Sequence, residues 1–228
     1  MKQLISTILL LLLVSSAALA GKRSDEVDRL RRATEVFDEI MKTPDKGIPG
    51  DLLDKAECVS IVPGLKKAGL GLGGKYGRGI VMCRQGKKGW SAPSFVAVEG
   101  GSVGFQIGVQ STDLVMLIMN RKGLEKLLGD KFTVGGSVSA AAGPVGRESS
   151  ANTNARMDAE ILTYSRAKGL FAGVSIDGAT FRPAKDSNHD FYGKDIEARA
   201  ILLDGTVPMP PEAQPLAAAL SHESPKKQ

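Results

Sequence analysis

From Cys58 to Val98 the chain contains no aspartate or glutamate, and glycines recur at positions 64, 69, 71, 73, 74, 77, 79, 86 and 89. Each glycine costs a helix about 1 kcal/mol relative to alanine, so this density excludes a stable helix. The segments on either side of the glycine run, Val59–Val62 and Gly79–Met82, are β-branched or apolar and read as strands. The stretch is therefore read as a hairpin of strands and tight turns. In such a hairpin Cys58 and Cys83 oppose one another, and in an oxidising compartment they form a disulfide. Two buried, inert thiols are the alternative. A catalytic thiol is disfavoured because no histidine lies near either cysteine in sequence.

The same stretch carries Lys66, Lys67, Lys75, Arg78, Arg84, Lys87 and Lys88, whereas acids and bases are mixed elsewhere. One sign of charge gathered on one segment creates a local positive field, which attracts phosphate-bearing or other anionic partners. The plainer alternative is a solvated hairpin whose lysines protect a strand edge from aggregation. Nucleic acid fits poorly as the anion. A single-strand binder interleaves its bases with aromatics, and only Tyr76 and Trp90 lie near the patch.

Residues 1–20 read as a leader. Lys2 supplies a short positive region, Leu4 to Val14 an apolar run too short for a stable span, and Ala18-Leu19-Ala20 a small-residue cleavage site. The expected mature chain starts at Gly21. It is exported to the periplasm or secreted, associates peripherally with membrane, and forms a single domain over 21–228 with its core at about 49–205 and a C-terminal tail.

The remaining periodicities give the fold class. Val27, Leu30, Ala33, Phe37, Ile40 and Met41 share one side of a helix over 24–42, capped by Ser24. This apolar stripe either packs on the domain or lies on a membrane. A short helix is expected over Pro49 to Ala56. Strict alternation marks strands at Val103 to Gln110, Phe132 to Ser139 and Leu170 to Ile176. Further helices are expected at Arg121 to Leu128, Asp195 to Leu203 and Glu212 to Leu220. Strands and helices in this order, without βαβ spacing, predict an α+β domain. Its largely antiparallel sheet is curved or barrel-like and flanked by helices.

Three motifs are set aside on physical grounds. Gly69–Gly74 matches G-x-G-x-x-G, but more glycines and β-branched residues follow where a nucleotide site needs a helix. Gly100-Gly101-Ser102-Val103-Gly104 matches a nucleophile elbow, but the residues after Ser102 form a strand pattern. A serine hydrolase using Ser102 survives only if His189 reaches it. Asp186, Asn188 and Asp190 have the opening spacing of a calcium loop, but Phe191 stands where glycine is needed and Lys194 is also wrong, so a polar turn is expected. No metal site and no cofactor are expected.

Several blocks in order resemble the SYLF domain family. They are Ala56–Pro63 with Gly89-Trp90-Ser91-Ala92-Pro93, Gly104–Gly108 with Asp113-Leu114-Val115, Ala142–Arg147, Tyr164–Gly173, and Phe191-Tyr192-Gly193. The resemblance runs from about Leu30 to the C-terminus. It implies a lipid-binding domain rather than an enzyme, and bacterial members of the family are exported. On this reading the chain docks on anionic phospholipid headgroups through Lys66, Lys67, Lys75, Arg78, Lys87 and Lys88. Arg29, Arg31 and Arg32 assist, and Trp90 or the first helix's apolar stripe inserts. With no SH3 domain in the sequence, actin is expected to be an unlikely partner. An envelope interaction protein that binds an anionic polymer or an acidic protein is the alternative function.

Overall fold

The computed structural model describes residues 2–43, 47–86, 89–137, 139–144, 159–167, 170–173, 176 and 178–224, with side chains for all of these except 2–21, 70–72, 102–109 and 171–173. Helix α1 (Lys2–Met41) is followed by α2 (Gly50–Lys55), two long strands β1 (Cys58–Cys83) and β2 (Ser94–Ile118), and α3 (Arg121–Leu128). Short strands β3 (Phe132–Thr133), β4 (Ala140–Ala142), β5 (Ile161–Ala167), β6 (Leu170–Gly173) and β7 (Thr180–Pro183) follow. Helices α4 (Lys185–Tyr192), α5 (Ala198–Leu202) and α6 (Gln214–Glu223) end the described chain, α6 being led by a 3₁₀ turn at Pro211–Ala213. The strands form one strongly curled, half-barrel sheet, antiparallel except where β4 runs parallel to β5. The α+β class and the curved sheet are those expected.

The fold turns on how β1 and β2 run. They pair antiparallel from Cys58↔Ile118 to Val81↔Ser94, with register shifts between Val62 and Leu65 and between Gly69 and Gly71. A straight strand of 26 residues would separate its ends by roughly 80 Å. Instead Cys58 and Cys83, at the two ends of β1, are joined by a disulfide with their Cα atoms 4.0 Å apart. The Arg84 amide also donates to the Glu57 carbonyl at 2.8 Å. The β1–β2 ribbon is thus doubled over near its glycine-rich middle. Close contact fixes the fold-back: a Cβ on Gly79 would fall 2.3 Å from the Ile61 carbonyl oxygen. Glycine is required there because the second half of β1 lies directly on the first.

The sheet is buried on both faces. On one, Ile61, Ile80, Met82, Phe95, Val115 and Leu117 pack against Leu30, Val36, Phe37 and Ile40 of α1 and Leu216 and Leu220 of α6. On the other, Val62, Val81, Val96, Leu114 and Met116 pack against Leu124 and Leu127 of α3 and Leu202 of α5. The stripe of α1 is therefore core. Each such side chain contributes roughly 1.5–3 kcal/mol by burial. Moving α1 onto a membrane would also bare the sheet face beneath it, so packing on the domain wins.

Other departures from the sequence reading have local causes. The first helix starts at Lys2 rather than Ser24, since nothing between the apolar run and Ser24 breaks a helix. The strand expected over 132–139 stops early: Gly135 takes φ +80° and a turn follows, with the Gly136 amide donating to the Thr133 carbonyl. Val138, Val174 and Ser175 lie outside the described residues. The turn expected at Asp186–Asp190 is helix α4. Its buried Asn188 carbonyl oxygen accepts the Phe95 amide at 2.9 Å, which pins the helix to β2. Gly193, at φ +69°, ends that helix in the left-handed conformation.

Candidate anion-binding site

Several of the residues expected to dock on anions are engaged within the fold among the described residues. Arg84 is nearly buried, donates to the carbonyls of Leu53 and Ala56 at 2.9 and 3.1 Å, and lies 4.5 Å above the Trp90 ring. Burial lowers its pKa from the ordinary arginine value, opposed by Asp54 and Glu57. Trp90 itself is 5% exposed. The pair pins α2 to the β1–β2 connection, and an indole so enclosed has no route to a lipid surface. Arg78 donates to the Tyr76 hydroxyl at 2.9 Å and to Ser187 of α4 at 3.0 Å, and the Tyr76 bond raises its pKa. Arg29 is paired with Glu26, and Arg31 with both Asp28 and Glu35. Lys75 is half-buried beside Gly100. Lys87 and Lys88 lie outside the described residues.

Among the described residues, Lys66 and Lys67 have no side-chain hydrogen bond or ion pair, and Arg32 makes only a long bond to the Asp28 carbonyl at 3.4 Å. Two of them, Arg32 and Lys66, line the same cleft of about 340 Å³, together with Glu35, Val36, Glu39, Pro63, Gly64, Ser111, Asp113 and Arg166. The cleft forms where α1 crosses the bulge in β1. Pro63 and Gly64 interrupt the ladder between Val62 and Leu65, and Gly64 takes φ +62°. The freed Gly64 amide donates to Asp113 Oδ1 at 2.9 Å. Asp113 Oδ2 accepts from Arg166 at 2.8 and 3.1 Å, and Arg166 also pairs with Glu39 of α1. One arginine thus ties the first helix to both β2 and β5. Exchanging Arg166 for glutamine is expected to lower stability by about 1–3 kcal/mol in urea unfolding, because it leaves a half-buried Asp113 without its partner.

Sequence reasoning missed this cleft. Pro63-Gly64 inside a strand pattern was the available signal for a bulge, and Asp113 and Arg166 were charged residues inside apolar strands. That they meet depends on the β2–β5 pairing, which places Asp113 opposite Arg166.

The hydrolase alternative closes on geometry. Ser102 lies within β2 opposite Gly73, and strand continues to Ile118, so no strand-to-helix turn follows it. His189 is on α4 with its Nδ1 2.9 Å from Asp195. The calcium spacing falls on a helix, and no group of metal-ligating side chains occurs among the described residues.

A family described as "Ysc84: Las17-binding protein actin regulator" matches residues 99–223. The chain belongs to the Ysc84 family. This is the family that the SYLF resemblance indicated. The chain is 37% identical over 188 residues to the rat protein named SH3 domain-containing YSC84-like protein 1, covering 82% of this chain and 54% of that protein. It is 38% identical over 176 residues to LAS seventeen-binding protein 3 of Saccharomyces cerevisiae, covering 75% and 38%. Protein YSC84 of the same yeast is 36% identical over 175 residues, covering 75% and 37%. The chain spans about half the length, or less, of these relatives. One of these names is that of a binding protein, and the family's description is that of an actin regulator. The expectation that actin is unlikely as a partner is overturned by the family's description as an actin regulator. Whether an SH3 domain is present says nothing of what the Ysc84 domain itself contacts.

Proposed function

We propose that this Ysc84-family chain is a binding domain without catalysis of its own, which docks on anionic phospholipid surfaces through the β1 bulge and the neighbouring face of α1. The observation that carries the reading is that Lys66, Lys67 and Arg32 have no carboxylate partner among the described residues, whereas the acids around them do. Three cations at an anionic surface contribute roughly 3 kcal/mol, which alone gives millimolar binding. An apolar contact must add to this. Trp90 and the α1 stripe are buried, but Leu170 is 72% exposed at the start of β6. Its burial in lipid adds about 2 kcal/mol, tenfold or more in affinity.

We further propose export of residues 21–228 after removal of the leader, a reading supported by the leader pattern and by the Cys58–Cys83 disulfide. A mature N-terminus at Gly21 in N-terminal sequencing of the protein made in its own host is the expected result.

The Lys66→Glu/Lys67→Glu variant is expected to lose at least tenfold in co-sedimentation with phosphatidylglycerol vesicles. Wild-type binding should also fall steeply between low and physiological salt. Binding that is unchanged in both tests would refute the docking face. A second reading, an acidic protein surface such as that of actin, is favoured by the family description. Co-sedimentation with actin filaments, lost in the same variant while vesicles are ignored, would select it.

A further inference from the structure

The geometry points to Val207-Pro208-Met209-Pro210-Pro211, the bridge between α5 and α6, as a docking site for an SH3-type domain, a partner that reads proline pairs with an aromatic-lined groove. The inference goes beyond the docking reading above and shares no residue with it. The segment holds two apolar–proline dipeptides, Val207-Pro208 and Pro210-Pro211, with Pro208 and Pro211 three positions apart. Polyproline II repeats every three residues, so two prolines at that spacing lie along one edge of the chain. Each apolar–proline dipeptide then fills one slot of the groove, and the residue between the dipeptides points away from it.

Proline pairs at this spacing also occur by chance, and conformation and exposure single this one out. Pro210 takes φ −67° and ψ 145°, the polyproline II values. Residues 208–210 belong to no helix or strand. Met209, the residue between the dipeptides, packs against the core shared by α1 and α6. Three residues further on, along the same edge, Glu212 is bonded to Arg23 of α1 at 2.7 Å. Pro208 and Pro211 are exposed, and Val207 and Pro210 are half-buried. The edge that faces away from such a groove is therefore the edge anchored to the domain, and the proline edge is turned to solvent.

The backbone fits as well. Among the described residues, no hydrogen bond reaches the carbonyls of Val207, Pro208 or Met209, which leaves acceptors for the hydroxyl and indole donors of an aromatic groove. Both ends of the segment are fixed. Thr206 Oγ1 donates to the Ala200 carbonyl at 3.0 Å, and the Ala213 amide donates to the Pro210 carbonyl at 3.0 Å. A segment already held in its bound conformation loses little freedom on docking. No lysine or arginine occurs from Asp204 to Gln214, so recognition rests on the apolar slots rather than on charge.

The test titrates the full mature chain into a panel of isolated, isotope-labelled SH3 domains, among them that of the rat relative named above. The expected result is a shift of the groove tryptophan's indole N–H in at least one of them, little changed between low and physiological salt. Pro208→Ala and Pro211→Ala are each expected to weaken that binding by about fivefold or more. Pro215→Ala, an exposed change in the first turn of α6 outside the motif, should leave it unaltered. Urea midpoints equal to that of wild type would show that the losses are not unfolding. Exchanging the groove tryptophan of the SH3 domain for alanine should abolish binding, a change that leaves this chain untouched.

No indole shift anywhere in the panel would overturn the site. Shifts that survive both Pro208→Ala and Pro211→Ala would do the same. So would binding that falls steeply with salt, since that marks a charged contact elsewhere on the surface.

Discussion

Replacing Gly79 with alanine is expected to destabilise the protein by about 3 kcal/mol or more, read as a lower urea midpoint at unchanged slope. A β-carbon at Gly79 falls 2.3 Å from the Ile61 carbonyl oxygen, 2.7 Å from Val62 Cγ2 and 2.8 Å from Val62 Cα. Two of these three are backbone atoms of the other half of the same strand. They cannot rotate aside, and relief requires the doubled ribbon to open. Gly101 provides the control, because a β-carbon there meets nothing within 4 Å. Gly101→Ala should stay within about 0.5 kcal/mol of wild type. Equal midpoints for the two variants would show that β1 does not fold back on itself.

Removing the disulfide is expected to cost about 3 kcal/mol. The link closes a loop with a sequence separation of 25 residues, and the chain-entropy estimate for a loop of that size is about 3.5 kcal/mol. Cys58→Ala/Cys83→Ala is the variant to measure, since both sulfurs are buried against apolar neighbours and alanine leaves no polar group there. The oxidised wild type and the double variant should differ in urea midpoint. Wild type treated with reductant should move towards the double variant. Coincident midpoints for all three would mean that the fold-back is held by packing alone.

The two effects act on one feature from opposite sides. The disulfide limits the unfolded chain, whereas Gly79 permits close approach in the folded one. If they are coupled through the same doubled ribbon, the losses in a combined variant should fall short of their sum, because a ribbon already opened by alanine gains less from the link.

Much of the architecture was legible. Leu30, Ala33, Phe37 and Ile40 at helical spacing gave α1 its buried side, and alternation over Val103 to Gln110 gave the middle of β2. Helix α4 was not legible. Lys185-Asp186-Ser187-Asn188 has no helix-favouring pattern, and what holds it is Asn188 bonded to the backbone of β2 across 93 residues. The first stop of β3 at Gly135 was marked by a glycine pair that alternation outweighed in the reading.

The candidate site was legible only as charge. Seven cations without acids between Glu57 and Glu99 read as one basic patch, but sequence carries no record of which are consumed by the fold. Arg84 went to carbonyl oxygens, Arg78 to Tyr76 and Ser187, and Trp90 to the interior. Long side chains find partners by proximity in space, and proximity here is set by a ribbon that doubles back and by a helix laid across it.

The amino-acid sequence by itself determined the family, the α+β class and the glycine-permitted hairpin with its paired cysteines, because local propensity and residue order are written along one dimension. Only the tertiary structure decided which charges remain available. Ion pairing falls off within a few ångströms, so the meeting of Asp113, Arg166 and Glu39 on one side, and the leaving of Arg32 and Lys66 on the other, are consequences of packing that no linear spacing contains.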